Sequence, residues 1–138
     1  MNILYSTTAT ATGDGRNGHT ATEDGFVDVD VRTPKELGGP GGATNPEQLF
    51  AAGYAACFHS AMKLVAKSMD IDATDSAVSI TVGLGMLERG EFNLALEIVV
   101  DVPNADADQA LALVERAHEV CPYSNATRGN VEVVLGVI

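Results

Sequence analysis

The sequence has little cysteine, little positive charge and no tryptophan. Two of its 138 residues are cysteine, and eight lysines and arginines face 19 aspartates and glutamates, so the formal net charge is −11. Because phosphates and anionic lipids repel such a chain, the composition argues against nucleic acid and membrane surfaces as partners. Apolar residues make up 46%, which is typical of a folded globular protein.

No apolar run is long enough to cross a bilayer. The longest, residues 49–58, has ten residues, whereas a transmembrane helix needs about 20. The chain starts -MNILYSTTAT-, without a basic stretch or a long apolar one, so we predict no signal peptide and a cytoplasmic location. In a reducing compartment, two cysteines are more often catalytic, redox-sensing or simply buried than permanently disulfide-bonded.

Common cofactor and metal motifs are absent as well. The -GGPGG- segment lacks the Lys-Ser/Thr of a phosphate-binding loop, and -GLGMLERG- fails the dinucleotide pattern. His19, His59 and His118 have no metal-ligand spacing with the cysteines. We therefore expect neither a cofactor nor a metal. His59 follows Cys57 by two residues and so points about 200° away on a helix, which weakens a cysteine-hydrolase interpretation.

Hydrophobic periodicity predicts an α+β fold in the order ββαββαβ, with antiparallel neighbours and one domain spanning 1–138. A long helix should begin at Pro46, after an N-cap at Thr44 or Asn45, and end near Met69. This helix is apolar all round up to Phe58, so we expect it to be central and buried against an antiparallel sheet. Strands are predicted at residues 2–12, 26–31, 77–87, 92–102 and 131–138.

A second helix is predicted over about 106–121, and the loop between 33 and 48 should have little local structure. Pro122 cannot continue the second helix, so Cys121 should lie at its end on the buried face. The apolar stripe expected on this helix consists of Ala107, Ala110, Leu111, Val114, Ala117 and Cys121.

Cys57 and Cys121 are the residues that point to a function. If the two thiols meet in space, one can attack an oxidant and the other can resolve the product as a disulfide. The alternative is that each is a small buried hydrophobe. A reactive thiol needs a lowered pKa, and Cys57 lies too far along its helix to use that helix's N-terminus. Arg16, in the -GDGRNG- turn, is the best candidate cation, and Arg128 is its rival.

The segments -TNPEQLFAAGYAACF- and -VCPYSNATRGN- closely resemble the two signature segments of the organic hydroperoxide resistance proteins, which share a wider family with the osmotically induced protein. The similarity runs nearly end to end. It implies a thiol peroxidase that reduces organic hydroperoxides, fatty-acid ones included, to alcohols. It also implies an intertwined homodimer with active sites at the subunit interface, and a lipoylated protein as the dithiol reductant.

The resemblance also assigns roles to four residues. Cys57 corresponds to the peroxidatic cysteine, Cys121 to the resolving cysteine, Arg16 to the arginine that stabilises the thiolate and Glu47 to the glutamate that holds this arginine. Glu47 precedes Cys57 by ten residues, or about 15 Å along an unbroken helix. Either the helix starts after Glu47, or Glu47 is donated across the dimer interface, which the intertwined dimer favours.

Other interpretations of the thiols remain open. A non-enzymatic redox sensor or ligand-binding module could use the same disulfide as a signal, although the sequence offers no DNA-binding element to transmit it. A different thiol enzyme is the third possibility. The apolar residues Leu49, Phe50, Tyr54 and Phe58 suit a hydrophobic peroxide, but they equally suit core packing.

Overall fold

Three short strands near the start of the chain form an antiparallel sheet in which they follow one another in chain order. The computed structural model describes residues 1–138 and divides them into two compact units, residues 1–49 and 50–138. The strands of the first unit are β1 (Ala9–Thr12), β2 (His19–Thr22) and β3 (Asp28–Asp30).

The first unit differs from the sequence prediction in three respects. The predicted strands 2–12 and 26–31 are shorter, and the prediction missed β2, whose -HTAT- sequence carries no apolar alternation. All four residues of β1 are exposed, so β1 has no buried face that would favour a longer strand toward residue 2. The loop after β3 was expected to lack local structure, but Lys35–Leu37 forms a turn of 3-10 helix.

The helix α1 (Pro46–Ser68) begins as predicted. Asn45 caps it, because its Oδ1 accepts a hydrogen bond from the backbone N–H of Gln48 at 2.9 Å. The expectation that the apolar stretch up to Phe58 is buried is only partly confirmed, because Ala52 and Ala56 within it are exposed. Beyond it, Leu64 is 71% exposed. The buried residues instead follow one stripe at helical spacing, namely Tyr54, Phe58, Met62, Val65 and Ala66. By length and composition α1 could also cross a bilayer, as core helices of water-soluble proteins often could.

The second unit contains a mixed sheet formed by β4 (Ala77–Met86), β5 (Phe92–Asp101) and β6 (Glu132–Val137). β4 and β5 form the predicted antiparallel hairpin. β6 runs parallel to β5, so the prediction of antiparallel neighbours throughout is wrong. Two helices lie between these strands in sequence, and a helical crossover is the usual way to join parallel neighbours.

Those two helices are α2 (Ala107–Val120), which was predicted over about 106–121, and α3 (Pro122–Thr127), which was not predicted. Asp106 and Gln109 form a reciprocal capping box at the start of α2. On α2 the predicted stripe is partly wrong, because Leu111 is 47% exposed and Leu113 is buried in its place. Cys121 is completely buried and serves as the C-cap of α2 and the N-cap of α3.

One hydrophobic core in the second unit joins α1, β5 and α2. Its fully buried members include Phe58 from α1, Ile98 from β5 and Leu113 from α2. Cys121 belongs to this core and Cys57 packs against it. The α+β class predicted from the sequence is therefore confirmed, with two sheets where one was expected.

Candidate active site

Cys57 and Cys121 come together, although they are 64 residues apart in sequence. Their Sγ atoms are 3.8 Å apart and neither forms a disulfide. Cys57 lies in the middle of α1 and is partly exposed, whereas Cys121 is buried at the joint between α2 and α3. The predicted meeting of the two thiols is therefore confirmed. The exposed thiol is the one that a solute can reach.

Three features of the second unit set the pKa of the Cys57 thiol. Burial raises this pKa most, and the neighbouring Cys121 raises it further. The backbone N–H of Tyr123, in the first turn of α3, hydrogen-bonds the sulfur and holds the pKa down. Together these three effects leave the pKa of Cys57 above the ordinary thiol value, and none of them comes from a positive charge. An added positive charge is what would make Cys57 a thiolate near neutral pH.

Tyr123 packs its ring against α1 one turn before Cys57. Its ring centroid lies 5.4 Å from that of Tyr54 and 6.1 Å from that of Phe50. Gly53 faces the same ring: a Cβ built there would lie 3.3 Å from Tyr123 Oη. A glycine in the middle of a helix costs about 1 kcal/mol relative to alanine. Here it makes room for the residue whose N–H contacts Cys57.

A buried polar network, missed by the sequence analysis, lies beside the thiols. Tyr54 Oη is 2.8 Å from Ser124 Oγ and 3.2 Å from Thr127 Oγ1, and Ser124 Oγ is 2.9 Å from His118 Nδ1. Burial, and then the positive charge of Arg128, lower the pKa of His118. The run of hydroxyl residues after Cys121 was the available signal, but the sequence does not show which of them are buried.

Arg128, the rival cation for Cys57, lies within this network instead. Its guanidinium donates to the backbone oxygen of His118 at 2.5 Å and to Asn125 Oδ1 at 2.9 Å. Both acceptors belong to the α2–α3 region. Arg128 is not among the groups that shift the pKa of Cys57.

An open apolar groove of about 430 Å³ borders Cys57 on the C-terminal side of α1. Cys57 lines it together with Ser60, Ala61, Leu64, Val120 and Pro122. The four apolar residues named from the sequence as substrate neighbours do not line it. Tyr54 and Phe58 are completely buried and belong to the core. The apolar surface next to the Cys57 thiol thus comes from the two turns of α1 that follow Cys57 and from the end of α2.

In the first unit, Arg16 and Glu47 form a bidentate ion pair within one chain. The guanidinium nitrogens lie 2.9 and 2.7 Å from the two carboxylate oxygens. Arg16 lowers the pKa of Glu47 by direct hydrogen bonding, so the pair persists below the pH at which a free glutamate becomes neutral. Gly18 closes the turn that carries Arg16, since a Cβ there would lie 2.1 Å from Thr12 O.

The position of Glu47 decides one question left open by the sequence. Glu47 lies in the first turn of α1, which begins at Pro46, so the alternative that the helix starts after Glu47 is wrong. Glu47 and Cys57 therefore share one unbroken helix. Ten residues of helix correspond to about 15 Å of rise.

Comparisons with known proteins agree on one family. The family model described as OsmC-like protein matches residues 39–136. An organic hydroperoxide resistance protein of Xanthomonas axonopodis pv. citri is 49% identical over 135 residues, which are 96% of this chain and 94% of that protein. The crystal structure of an organic hydroperoxide resistance protein from Legionella pneumophila superposes with a TM-score of 0.93 at 51% identity, covering 99% of this chain and 98% of that one. For OhrB of Bacillus subtilis, the TM-score is 0.89 at 45% identity, with 99% and 100% covered.

Proposed function

Because this chain belongs to the OsmC-like family and is similar to its organic hydroperoxide resistance proteins, we propose that it reduces organic hydroperoxides to alcohols. The observation that carries the proposal is the pair of free thiols, 3.8 Å apart. The more exposed thiol borders an apolar groove that suits the alkyl chain of a hydrophobic peroxide. H2O2 has no alkyl group to fill this groove, so it should be the poorer substrate.

The reaction begins at Cys57. Its thiolate attacks the outer oxygen of ROOH, the O–O bond breaks, and the electron pair leaves on RO⁻, which takes a proton to give ROH. Cys57 becomes a sulfenic acid. The thiol of Cys121 then attacks the Cys57 sulfur, which forms the Cys57–Cys121 disulfide and releases water. A dithiol reduces the disulfide and restores both thiols as it forms its own disulfide.

Arg16 supplies the charge that the surroundings of Cys57 within the second unit do not. A guanidinium held by Glu47 can stabilise the Cys57 thiolate and the developing alkoxide with the same planar set of donors. Because Glu47 and Cys57 are about 15 Å apart along α1, an Arg16 that is bound to Glu47 cannot comfortably reach Cys57 of its own chain. The proposed active site therefore combines the two cysteines of one subunit with Arg16 and Glu47 of the partner.

This arrangement requires an intertwined homodimer with two such sites, each chain acting as one hydroperoxide-reductase domain over residues 1–138. A lipoylated protein is the proposed dithiol reductant. A cytoplasmic location suits this chemistry, because the cytoplasm keeps dithiol reductants reduced.

Steady-state turnover tests the proposal. The protein is supplied with a dithiol and either cumene hydroperoxide or H2O2, and the alcohol product is measured beside a Cys57→Ser variant. We expect catalytic turnover that is faster with cumene hydroperoxide and absent from the variant. Turnover that survives in Cys57→Ser would refute the assignment of Cys57. A disulfide that forms without repeated turnover would favour the redox-sensor alternative.

A further inference from the structure

One buried hydroxyl links the three helices that surround the thiols. Ser124 Oγ, in the first turn of α3, is 2.8 Å from Tyr54 Oη of α1 and 2.9 Å from His118 Nδ1 in the last turn of α2. Tyr54 and Ser124 are both completely buried. Each helix thus contributes a polar group to this buried point, and α3 contributes a second one, because Thr127 Oγ1 lies 3.2 Å from Tyr54 Oη.

Arg128 adds a second link between α2 and α3. It is the C-cap of α3 and donates to the carbonyl oxygen of His118, one of the last four carbonyls of α2, which have no partner within the helix. Cys121 lies between these two links, as the residue that ends α2 and begins α3. We refer to Tyr54, His118, Ser124 and Arg128 as the joint clamp.

The proposed chemical steps use none of the four side chains of the joint clamp. Burying a hydroxyl costs free energy unless it is hydrogen-bonded, and phenylalanine and alanine would fill the positions of Tyr54 and Ser124 without that cost. A fully satisfied polar network does, however, fix the geometry of a core more uniquely than apolar packing. The geometry fixed here is that of the Cys121 joint.

We propose that the joint clamp is a positioning device for disulfide formation, which holds Cys121 Sγ within reach of Cys57. The two sulfurs must close from 3.8 Å to about 2.05 Å when they bond. An attack between groups that are already oriented is much faster than one that must first order them. Without the joint clamp, Cys121 Sγ would spend more time out of reach of Cys57. The attack of Cys121 on the sulfenic acid would then slow, and the sulfenic acid would persist.

Equilibration with glutathione tests the clamp without any hydroperoxide. The variants Ser124→Ala and Tyr54→Phe each remove one hydroxyl and the hydrogen bonds that it makes. Each should lower the equilibrium constant for Cys57–Cys121 disulfide formation about tenfold, because the reduced joint then holds the two sulfurs within reach about one tenth as often. That corresponds to a reduction potential about 30 mV higher for this two-electron couple. His118→Asn, whose amide can replace Nδ1 as a partner of Ser124, should stay within about threefold of the unaltered protein.

The matched control is Ser68→Ala, which removes a hydroxyl that bonds Val65 O at the end of α1. It should leave the equilibrium constant unchanged. An unchanged constant in folded Ser124→Ala and Tyr54→Phe would overturn the proposal. If Ser124→Ala does not fold, Tyr54→Phe, which removes a single oxygen, decides the question.

A kinetic arm connects the clamp to the proposed function, on which its role in turnover rests. After one equivalent of cumene hydroperoxide, the clamp variants should form sulfenic acid within about threefold of the normal rate and disulfide about tenfold more slowly, with more sulfinic acid as a result. Equal disulfide rates would contradict the proposal. If the unaltered protein does not react with hydroperoxide, the proposed function fails, while the glutathione equilibrium still decides the clamp.

Discussion

Cys57 and Cys121 are chemically alike but differ in what can reach them. Cys57 borders an open groove and accepts a hydrogen bond from the Tyr123 N–H, whereas Cys121 is completely buried at a helix joint. This difference in access supports the proposed roles, in which Cys57 attacks the peroxide and Cys121 resolves the product. This order is independent of family resemblance, because a hydroperoxide cannot reach a sulfur with no exposed surface.

Replacing Cys121 should separate the two steps. In Cys121→Ser, Cys57 still reacts once with an alkyl hydroperoxide, but no thiol remains to attack the sulfenic acid, so multiple turnover falls at least tenfold with a dithiol such as dihydrolipoamide. Mass spectrometry should show sulfenic acid on Cys57 that converts to sulfinic acid with excess peroxide. Normal turnover in this variant would show that Cys121 is not the resolving residue.

Replacing Arg16 should change the reactivity of Cys57 through charge. The thiolate fraction of Cys57, and with it the rate of alkylation by iodoacetamide, rises as the pH passes through the thiol pKa. Loss of a nearby positive charge should raise this pKa, so the alkylation curve of Arg16→Ala moves to higher pH, and the curve of Arg16→Lys lies between those of Arg16→Ala and the unaltered protein. At pH 7, Arg16→Ala should therefore react with iodoacetamide about ten to a thousand times more slowly than the unaltered protein. Superimposable alkylation curves would mean that Arg16 does not act on Cys57.

At the scale of elements, α1 supplies the face on which the site is assembled. Residues 50, 53, 54 and 57 share one side at spacings of three and four, and the next turns, with Ala61 and Leu64, form the groove. Gly53 has the lowest helix propensity of the residues on this face. The ring of Tyr123 packs against the position where a side chain at residue 53 would begin.

A double-mutant cycle tests this match. Gly53→Ala alone adds about 1 kcal/mol of helix propensity but brings a Cβ to 3.3 Å from Tyr123 Oη, so the net gain in stability should be smaller than that. In a Tyr123→Phe background, which lacks that oxygen, the same substitution should be more stabilising by about 0.5 kcal/mol or more. Urea unfolding measures the four free energies of unfolding. An additive cycle would mean that Gly53 does not accommodate the Tyr123 hydroxyl.

The sequence predicted well those elements whose ends carry strong local signals. Asn45 and Pro46 mark the start of α1, and -ERGE- marks the turn between β4 and β5, because caps and turns depend on neighbouring residues. The sequence was a poor guide to the features that depend on tertiary packing. The parallel direction of β6 and the exposed face of α1 follow from how the sheet and helices pack, which no short sequence window contains.

The candidate site shows the same division. Two long motifs identified both cysteines and Glu47, and the -GDGRNG- turn offered Arg16. The structure forms the Arg16–Glu47 ion pair. The groove and the joint clamp were not predicted. Both depend on side chains brought together from α1 and from the α2–α3 joint, and sequence alone does not reveal which hydroxyls become buried.

At the scale of the whole molecule, the proposed active site requires two subunits. Arg16 is bound to Glu47 of its own chain, and Glu47 is about 15 Å along α1 from Cys57. We therefore propose that a complete site takes the ion pair from one subunit and the thiols from the other. A two-fold axis would create two identical sites of this composition.

Mixing inactive subunits tests this composition. Cys57→Ser and Glu47→Ala should each be inactive or nearly so as homodimers. In a shared-site dimer, a mixed pair has one site with both Cys57 and Glu47 intact, so random exchange in a 1:1 mixture restores about one quarter of the normal activity. Absence of any recovery, with subunit exchange confirmed by native mass spectrometry, would show that each site draws both residues from one chain.

The most direct test of the central claim is a non-reducing peptide map after the reduced protein reacts with one equivalent of cumene hydroperoxide. We expect a peptide cross-linked through Cys57 and Cys121, together with one equivalent of the alcohol and loss of two free thiols per chain. The alcohol should appear before the cross-link, because Cys57 reacts first. Two thiols that remain free, or a disulfide that joins different chains, would contradict the account.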